Sequence, residues 1–336
     1  MSSTETGWGL WLHAVRPVAD LASLAAKAED LGASAILVAD EGTDRDLFVV
    51  MAALAQRTRR ALLVGAVTNP HSRHPVTTAA AFASLAELAP GRVVAGFGTG
   101  GSRVLGPLGL APARPYTALV ECIGVVQALW RGETVDHAGE FSVRGARLEW
   151  GPQRIPLAVA GRGPRAERLA AERADWVVLA GRAVDTVPEL VARLRAMGRA
   201  SIAWNPVAAW TEPLREELRM HLAYMAVDMP EHDRAALGLD AVATSALREI
   251  VTTRGPEAAA AAITDAVLER YAIVGGRSEV VARLSDLRAR VRPELLVFDA
   301  HDYSSGYLED VAAVAIDAGA VADHNAHERH GLDSHD

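Results

Sequence analysis

The sequence is short of two residues with special chemistry. Cys122 is the only cysteine in 336 residues. That excludes an intrachain disulfide, a CxxC redox pair and an iron–sulfur ligand set, and it fits a reducing, cytoplasmic setting. Lys27 is the only lysine, so nearly all of the 34 Lys+Arg residues are arginine. Schiff-base chemistry would have to use Lys27, which lies in a helical pattern and not at a strand end. No GK[ST] phosphate loop occurs. Positive charge is outnumbered: 42 Asp+Glu give a formal net charge of −8, a poor match for nucleic acid or an anionic membrane. No segment approaches the roughly 20 apolar residues of a spanning helix, and residues 1–7 lack the basic and apolar regions of a signal peptide. With 50% hydrophobic and 23% charged residues the chain can bury a full core, so disordered and fibrous classes fall away.

What is present is alternation. Strand-like apolar runs occupy residues 8–14, 35–39, 62–68, 92–97, 157–160, 176–180, 201–210 and 295–299. Helical periodicity fills residues 18–31, 47–57, 76–88, 116–130, 165–173, 187–197, 278–291 and 307–318. Strict alternation demands parallel strands with helical crossovers. Eight such units close a (β/α)8 TIM barrel. A doubly wound sheet is disfavoured, because His13-Ala14-Val15-Arg16-Pro17 stands where G-x-G-x-x-G would. Insertions follow strand four (residues 132–152, extended, with Gly139 and Gly145 as turns) and strand seven (about 212–270, largely helical). No linker is visible, so residues 1–322 form a single domain and 323–336 a polar tail.

A barrel carries its chemistry at the C-terminal ends of its strands. Strand two ends in Asp40-Glu41, and strand three in Thr68-Asn69-Pro70-His71-Ser72-Arg73-His74-Pro75. Strand four ends in glycines (Gly96, Gly98, Gly100, Gly101), strand five in Gly161-Arg162-Gly163-Pro164, strand six in Ala180-Gly181-Arg182 and strand eight in Asp299-Ala300-His301-Asp302. Glycines and a helix start at 161–164, with Arg162 or Arg165 as a charged fork, suit a phosphate; an ordinary strand-to-helix turn carries the same residues. The strand-four glycines would let a flat ring approach the backbone, or simply make a tight rim turn. Trp8 and Trp11 lie on strand one, where Trp8 shares a face with Leu10 and Leu12 and reads as core. Cys122 reads as a buried small hydrophobe. His324, His327 and His330 have metal-like spacing in a solvated tail, and no metal is expected.

Several of these motifs together resemble the luciferase-like flavin-dependent oxidoreductases, in the branch that uses coenzyme F420 and includes methylenetetrahydromethanopterin reductase. The resemblance rests on Val67-Thr68-Asn69-Pro70-His71-Ser72-Arg73-His74-Pro75, on Leu85-Ala86-Glu87-Leu88-Ala89-Pro90-Gly91-Arg92, and on Gly96-Phe97-Gly98-Thr99-Gly100. Arg45-Asp46-Leu47-Phe48-Val49, Gly109-Leu110, Ala128-Leu129-Trp130-Arg131-Gly132-Glu133 and residues 156–164 add to it. It implies a deazaflavin ring across the strand ends and a non-proline cis peptide at Ala66-Val67 behind it. Thr68, Asn69, Gly98, Thr99 and Gly100 match positions around the ring. Gly161, Arg162, Gly163, Pro164, Ala180 and Gly181 match the phosphate loop and its neighbour. Where many relatives carry an Asp-His pair after strand two, this chain has Asp40-Glu41, and Gly101 stands where some carry an acid.

The implied activity is hydride transfer from reduced F420 to a C=C, C=N or C=O group of a small-molecule or modified-peptide substrate. Glu41 is the expected proton donor, with Asp40 orienting it or binding cofactor. The plainer expectation for both is that they cap the next helix or bind Arg45. His13, His71, His74 and His301 are reserve donors, His74 before Pro75 reading as structural. An FMN-dependent monooxygenase of the same fold is the alternative, and a non-catalytic cofactor-binding subunit a third. A homodimer is the family's common state.

Overall fold

The computed structural model of the protein describes residues 5–300 and 305–321. Residues His301, Asp302 and the 323–336 tail with His324, His327 and His330 lie outside the described residues. The barrel strands are β1 (Gly7–Leu12), β2 (Ala35–Val38), β3 (Leu62–Thr68), β4 (Val93–Phe97), β5 (Leu157–Ala160), β6 (Trp176–Leu179), β7 (Ser201–Trp204) and β8 (Leu295–Asp299). They pair in parallel, and β8 pairs back to β1, so the sheet closes as expected of a (β/α)8 barrel. Its outer helices are α1 (Val18–Asp30), α2 (Leu47–Arg57), α3 (Pro75–Leu88), α4 (Pro115–Trp130), α5 (Pro164–Arg173), α6 (Val187–Met197), α7 (Arg277–Val291) and α8 (Ser305–Asp317).

Local chemistry explains where these helices begin. Pro75, Pro115 and Pro164 occupy their first turns, where the missing N–H costs nothing. Asp46 caps α2 by accepting hydrogen bonds from the Phe48 and Val49 amides at 3.0 and 3.1 Å. Asp40 and Glu41 therefore do not cap it, and Arg45 binds the Ala14 carbonyl at 3.2 Å.

Two layers of core follow from period two. Residues such as Trp8, Leu10, Leu12, Ile36, Leu63 and Phe97 point out beneath the helices. The opposite set, Ala35, Leu37, Val64, Val94, Ala158, Val178, Ala203, Leu295 and Val297, fills the barrel, with Trp11 packed against it. The two strand-one tryptophans thus part company.

Two expected elements differ. The seventh strand stops at Trp204 rather than running to residue 210. Pro206 has no N–H to donate, and the Asn205 side chain takes the Val207 amide at 3.2 Å, so the ladder ends. Ala208–Ala209 pairs instead with Ile273–Val274 in a separate two-stranded sheet. The excursion after β4 contains an antiparallel hairpin, Val135–Ala138 with Ser142–Ala146. Gly145 lies within its second strand at φ +58°, beside a register shift, and is not a turn.

Between β7 and α7 the chain forms five further helices: Glu212–Asp228, Glu231–Leu237, Ala241–Arg254, Pro256–Ala260 and Asp265–Tyr271. Leu218, Leu222, Leu237, Leu268 and Tyr271 give them a core of their own. No helix among the described residues is long and apolar enough to cross a membrane.

Candidate active site

The inward parity of each strand decides what stands at its C-terminal mouth. Continuing the buried inward rows by two residues brings Asp299 after Val297, Asn205 after Ala203 and Arg162 two past Ala160. Gly96 and Gly98 continue the β4 row. At β3 the row is broken by a register shift between Gly65 and Thr68. The Ala66–Val67 peptide is cis, as the resemblance implied, and both side chains pack with the barrel interior.

That bulge and the glycines need each other. A Cβ on Gly96 would stand 2.0 Å from the Gly65 carbonyl oxygen, and one on Gly98 would stand 2.8 Å from Val67 Cγ2. The Gly98 amide donates to the Thr68 carbonyl at 2.8 Å. Gly100, at φ +76°, carries the turn next to half-buried Thr99. Asn69 is 2% exposed; its Oδ1 accepts from the His71 and Ser72 amides at 2.9 Å each, while its Nδ2 is buried without a partner. A donor in that state calls for an acceptor from a ligand.

Asp40 stands half-buried on the same side. Its Oδ2 accepts from Thr68 Oγ1 at 2.6 Å. Burial raises its pKa, against the Thr68 hydrogen bond and the charge of Arg73, which lower it. Glu41 follows it, half-buried. His71 is lowered by burial, with Glu140 pulling the other way. His74 caps α3 through Nδ1, 3.3 Å from the Val76 amide, in keeping with its structural reading.

Across the mouth, Gly161, Arg162 and Gly163 (φ +103°) lead into α5 at Pro164. Arg162 turns inward and Arg165 does not: the Arg165 guanidinium lies 4.0 Å above the Tyr116 ring. Ala180 and Gly181 adjoin Arg162, whose Nη2 is 3.1 Å from where a Cβ on Gly181 would sit. Arg182 is buried, bonded to Asp233 at 2.9 Å, Glu167 at 2.9 Å and the Gly161 carbonyl at 3.3 Å. Gly101 has no acid of its own, but Asp228 comes down from the β7–β8 insertion. Its Oδ2 accepts from the Ser102 amide and hydroxyl and lies 3.8 Å from a Cβ position on Gly101.

Motif reading passed over Asn205, Asp228 and the role of Asp299. Asn205 Nδ2 donates to Asp299 Oδ2 at 2.8 Å, and His13 Nε2 lies 3.4 Å from Asp299 Oδ1. Strand parity would have found Asp299 and Asn205; nothing local marks Asp228. Cys122 is 1% exposed, its thiol pushed up to about 12 by burial, so it is inert. Among the described residues no cluster could hold a metal ion. A surface cavity of about 460 Å³ lies at the other end of the barrel, beside Asp175 and Arg199, away from this chemistry.

The model of the family described as "Luciferase-like monooxygenase" matches residues 2–292. The chain belongs to that family. Among luciferase-like relatives, a 5,10-methylenetetrahydromethanopterin reductase of Archaeoglobus fulgidus is 28% identical over 276 residues, covering 77% of this chain and 83% of that protein. An F420-dependent glucose-6-phosphate dehydrogenase of Beutenbergia cavernae is 39% identical over 157 residues, covering 45% of this chain and 47% of that protein. The solved F420-dependent tetrahydromethanopterin reductase of Methanopyrus kandleri superposes with a TM-score of 0.81 at 21% identity, covering 94% of this chain and 99% of that one. This last likeness shows the shared luciferase-like barrel.

Proposed function

We propose that this protein is an F420-dependent oxidoreductase, a reductase that delivers hydride to a C=C, C=N or C=O group of a small molecule. One observation carries the reading. A glycine-lined wall, Gly96 to Gly100, backs onto the β3 bulge, and the turn after the next strand carries an arginine, Arg162, that has no ion-pair partner among the described residues. The residues fit the group: a flat ring needs the glycine wall and the Asn69 donor, and an anionic tail needs the 161–164 turn. Relatives named for F420, the F420-dependent glucose-6-phosphate dehydrogenases, support it over FMN.

Ala66, Val67, Thr68, Asn69, Gly98, Thr99 and Gly100 would hold the ring, and Gly161, Arg162, Gly163, Pro164, Ala180 and Gly181 the tail. When bound, the deazaflavin supplies hydride at its C5. Asp40 keeps a proton to higher pH than an ordinary aspartate; Thr68 engages Oδ2, which leaves Oδ1 for that proton. Glu41 next to it is the carboxyl that relays protons toward substrate.

Fluorescence titration tests the cofactor directly. F420 is expected to bind and FMN not, and reduced F420 is then expected to be consumed anaerobically with a ketone, a pterin imine or an unsaturated peptide. Binding of FMN alone, with oxygen uptake on its reduction, would overturn the reading.

A further inference from the structure

Three polar side chains meet where β8 closes the barrel between β1 and β7, and none of them has a place in holding the ring or its tail. Asp299, the last residue of β8, is 8% exposed. Its Oδ2 accepts from Asn205 Nδ2 at 2.8 Å, and its Oδ1 lies 3.4 Å from His13 Nε2. The other end of the Asn205 amide settles its orientation: Oδ1 accepts from the Val207 amide at 3.2 Å, so the NH2 faces Asp299. The Asp299 backbone is held as firmly. It pairs in register with Trp11, and its carbonyl accepts from the Tyr307 hydroxyl at 2.8 Å. Asp299 is a buried carboxylate, fixed in place, with one oxygen directed at an imidazole.

His13 is the opposite case, with its side chain 33% exposed. It continues the inward row of β1 two residues past Trp11, which packs against the barrel interior. At this end of a barrel that row faces the mouth. Strand β2 lies alongside: Leu12 pairs with Val38, and the Ala39 amide donates to the Leu12 carbonyl at 3.0 Å. Glu41 continues the inward row of Ala35 and Leu37, so it stands at the neighbouring strand end. A carboxylate behind an imidazole holds one ring nitrogen and fixes the direction of the other.

We infer that His13 is the catalytic acid that gives the substrate its proton, and that Asp299, braced by Asn205, is its positioning residue. The inference rests on the reductase reading. Hydride added to one carbon of a C=C, C=N or C=O group sends the π electron pair to the other atom. That atom forms its new bond to hydrogen as the His13 Nδ1–H bond breaks; the electron pair of that bond stays on the ring, which ends neutral. Glu41 returns one proton to the ring per turnover. The plainer alternative is that the pair only seals the β8–β1 seam. That seam is already closed by the ladder from Gly7 to Trp11, and an exposed imidazole adds little to it.

His13→Gln, His13→Ala and Asp299→Asn are titrated with F420 by fluorescence and assayed anaerobically with reduced F420 and a ketone, a pterin imine or an unsaturated peptide. F420 affinity is expected to stay within about twofold of wild type in all three. In His13→Gln kcat falls about a hundredfold or more with KM little changed, and added imidazole restores turnover to His13→Ala. In the ligand-free protein, NMR is expected to show the His13 ring titrating about one pH unit lower in Asp299→Asn than in wild type. Above that midpoint kcat of Asp299→Asn is then about tenfold lower, the factor one pH unit implies. A seam-sealing role would instead lower the melting temperature of His13→Ala and give no rescue by imidazole. Unchanged kcat in His13→Gln, or a His13 titration indifferent to Asp299→Asn, sinks the inference and leaves the reductase reading standing. A wild type that neither binds F420 nor reduces any of the three probes sinks the reductase reading, and the donor role with it.

Discussion

Glu29 and Asp40 are both carboxylates taken out of bulk water, and they titrate in opposite directions. Burial pushes Glu29 upward, but the amides of Arg59, Arg60 and Ala61 donate to it at 2.7 to 3.0 Å and bring it below the ordinary range. Asp40 has one hydrogen-bonding hydroxyl, and burial prevails. The first is a structural anion and the second a group prepared to hold a proton. Stability should report the difference. Glu29 binds its proton less tightly folded than unfolded, so its contribution is present above the unfolded pKa of about 4.3 and is lost as pH falls through the folded value. Glu29→Gln is expected to cost about 1–3 kcal/mol at pH 7, a deficit that shrinks in urea melts on acidification. Asp40 binds its proton more tightly when folded, so wild-type stability declines as pH rises from about 3.9 to the folded pKa. The melting temperature of Asp40→Asn relative to wild type is therefore expected to climb across that window and then level off. Gly96→Ala drives a Cβ into the Gly65 carbonyl; a loss of about 1–3 kcal/mol or more by chemical denaturation is expected.

Among elements, the insertion and the β5–α5 turn are joined by Arg182. This side chain follows β6, bonds Glu167 on α5 and Asp233 on the Glu231–Leu237 helix, and also holds the Gly161 carbonyl. All three charged side chains are buried. Arg182→Met leaves two buried carboxylates with only the longer contacts of Glu167 to Arg193 (3.8 Å) and of Asp233 to His232 (3.5 Å), which costs about 3–5 kcal/mol. Urea denaturation measures that loss, and limited proteolysis should open first near residues 229–240, where the tie is cut. A loss under 1 kcal/mol would show that the two carboxylates find other partners. Arg92 plays a similar part at the opposite end, donating to Thr58 Oγ1 at 3.0 Å and to the Ala61 carbonyl at 3.1 Å. That contact accounts for an arginine directly after Pro90-Gly91.

At the scale of the whole molecule, closure brings strand ends that are far apart in sequence to one rim. Asp40 and Asn69 stand on one side, Arg162 and Gly181 on another, and His13, Asn205 and Asp299 on a third. A ligand bridging them binds only the folded chain, so it must stabilise it. F420 at about 100 times its Kd is expected to add about 2.7 kcal/mol to unfolding, seen as a rise in melting temperature that FMN at equal concentration does not produce.

The sequence by itself determined the strand–helix alternation, the barrel and the glycine punctuation at β4 and β5; the position of the cis peptide followed only from the family resemblance. These are local patterns: period two against period 3.6, turn residues, and motifs a few residues long. Helix α2, strand β3 and strand β8 were legible to the residue because capping residues and apolar runs end sharply there. The end of β7 was not, since the Asn205 side-chain bond that stops it depends on the folded turn. Tertiary structure alone decided that Asp46 rather than Asp40 caps α2, that Arg162 points in while Arg165 stacks on Tyr116, and that Asp228 reaches the Gly101–Ser102 rim. Those outcomes depend on contacts across more than a hundred residues in the case of Asp228 with Ser102. Such contacts form only after the barrel closes, so no local periodicity encodes them.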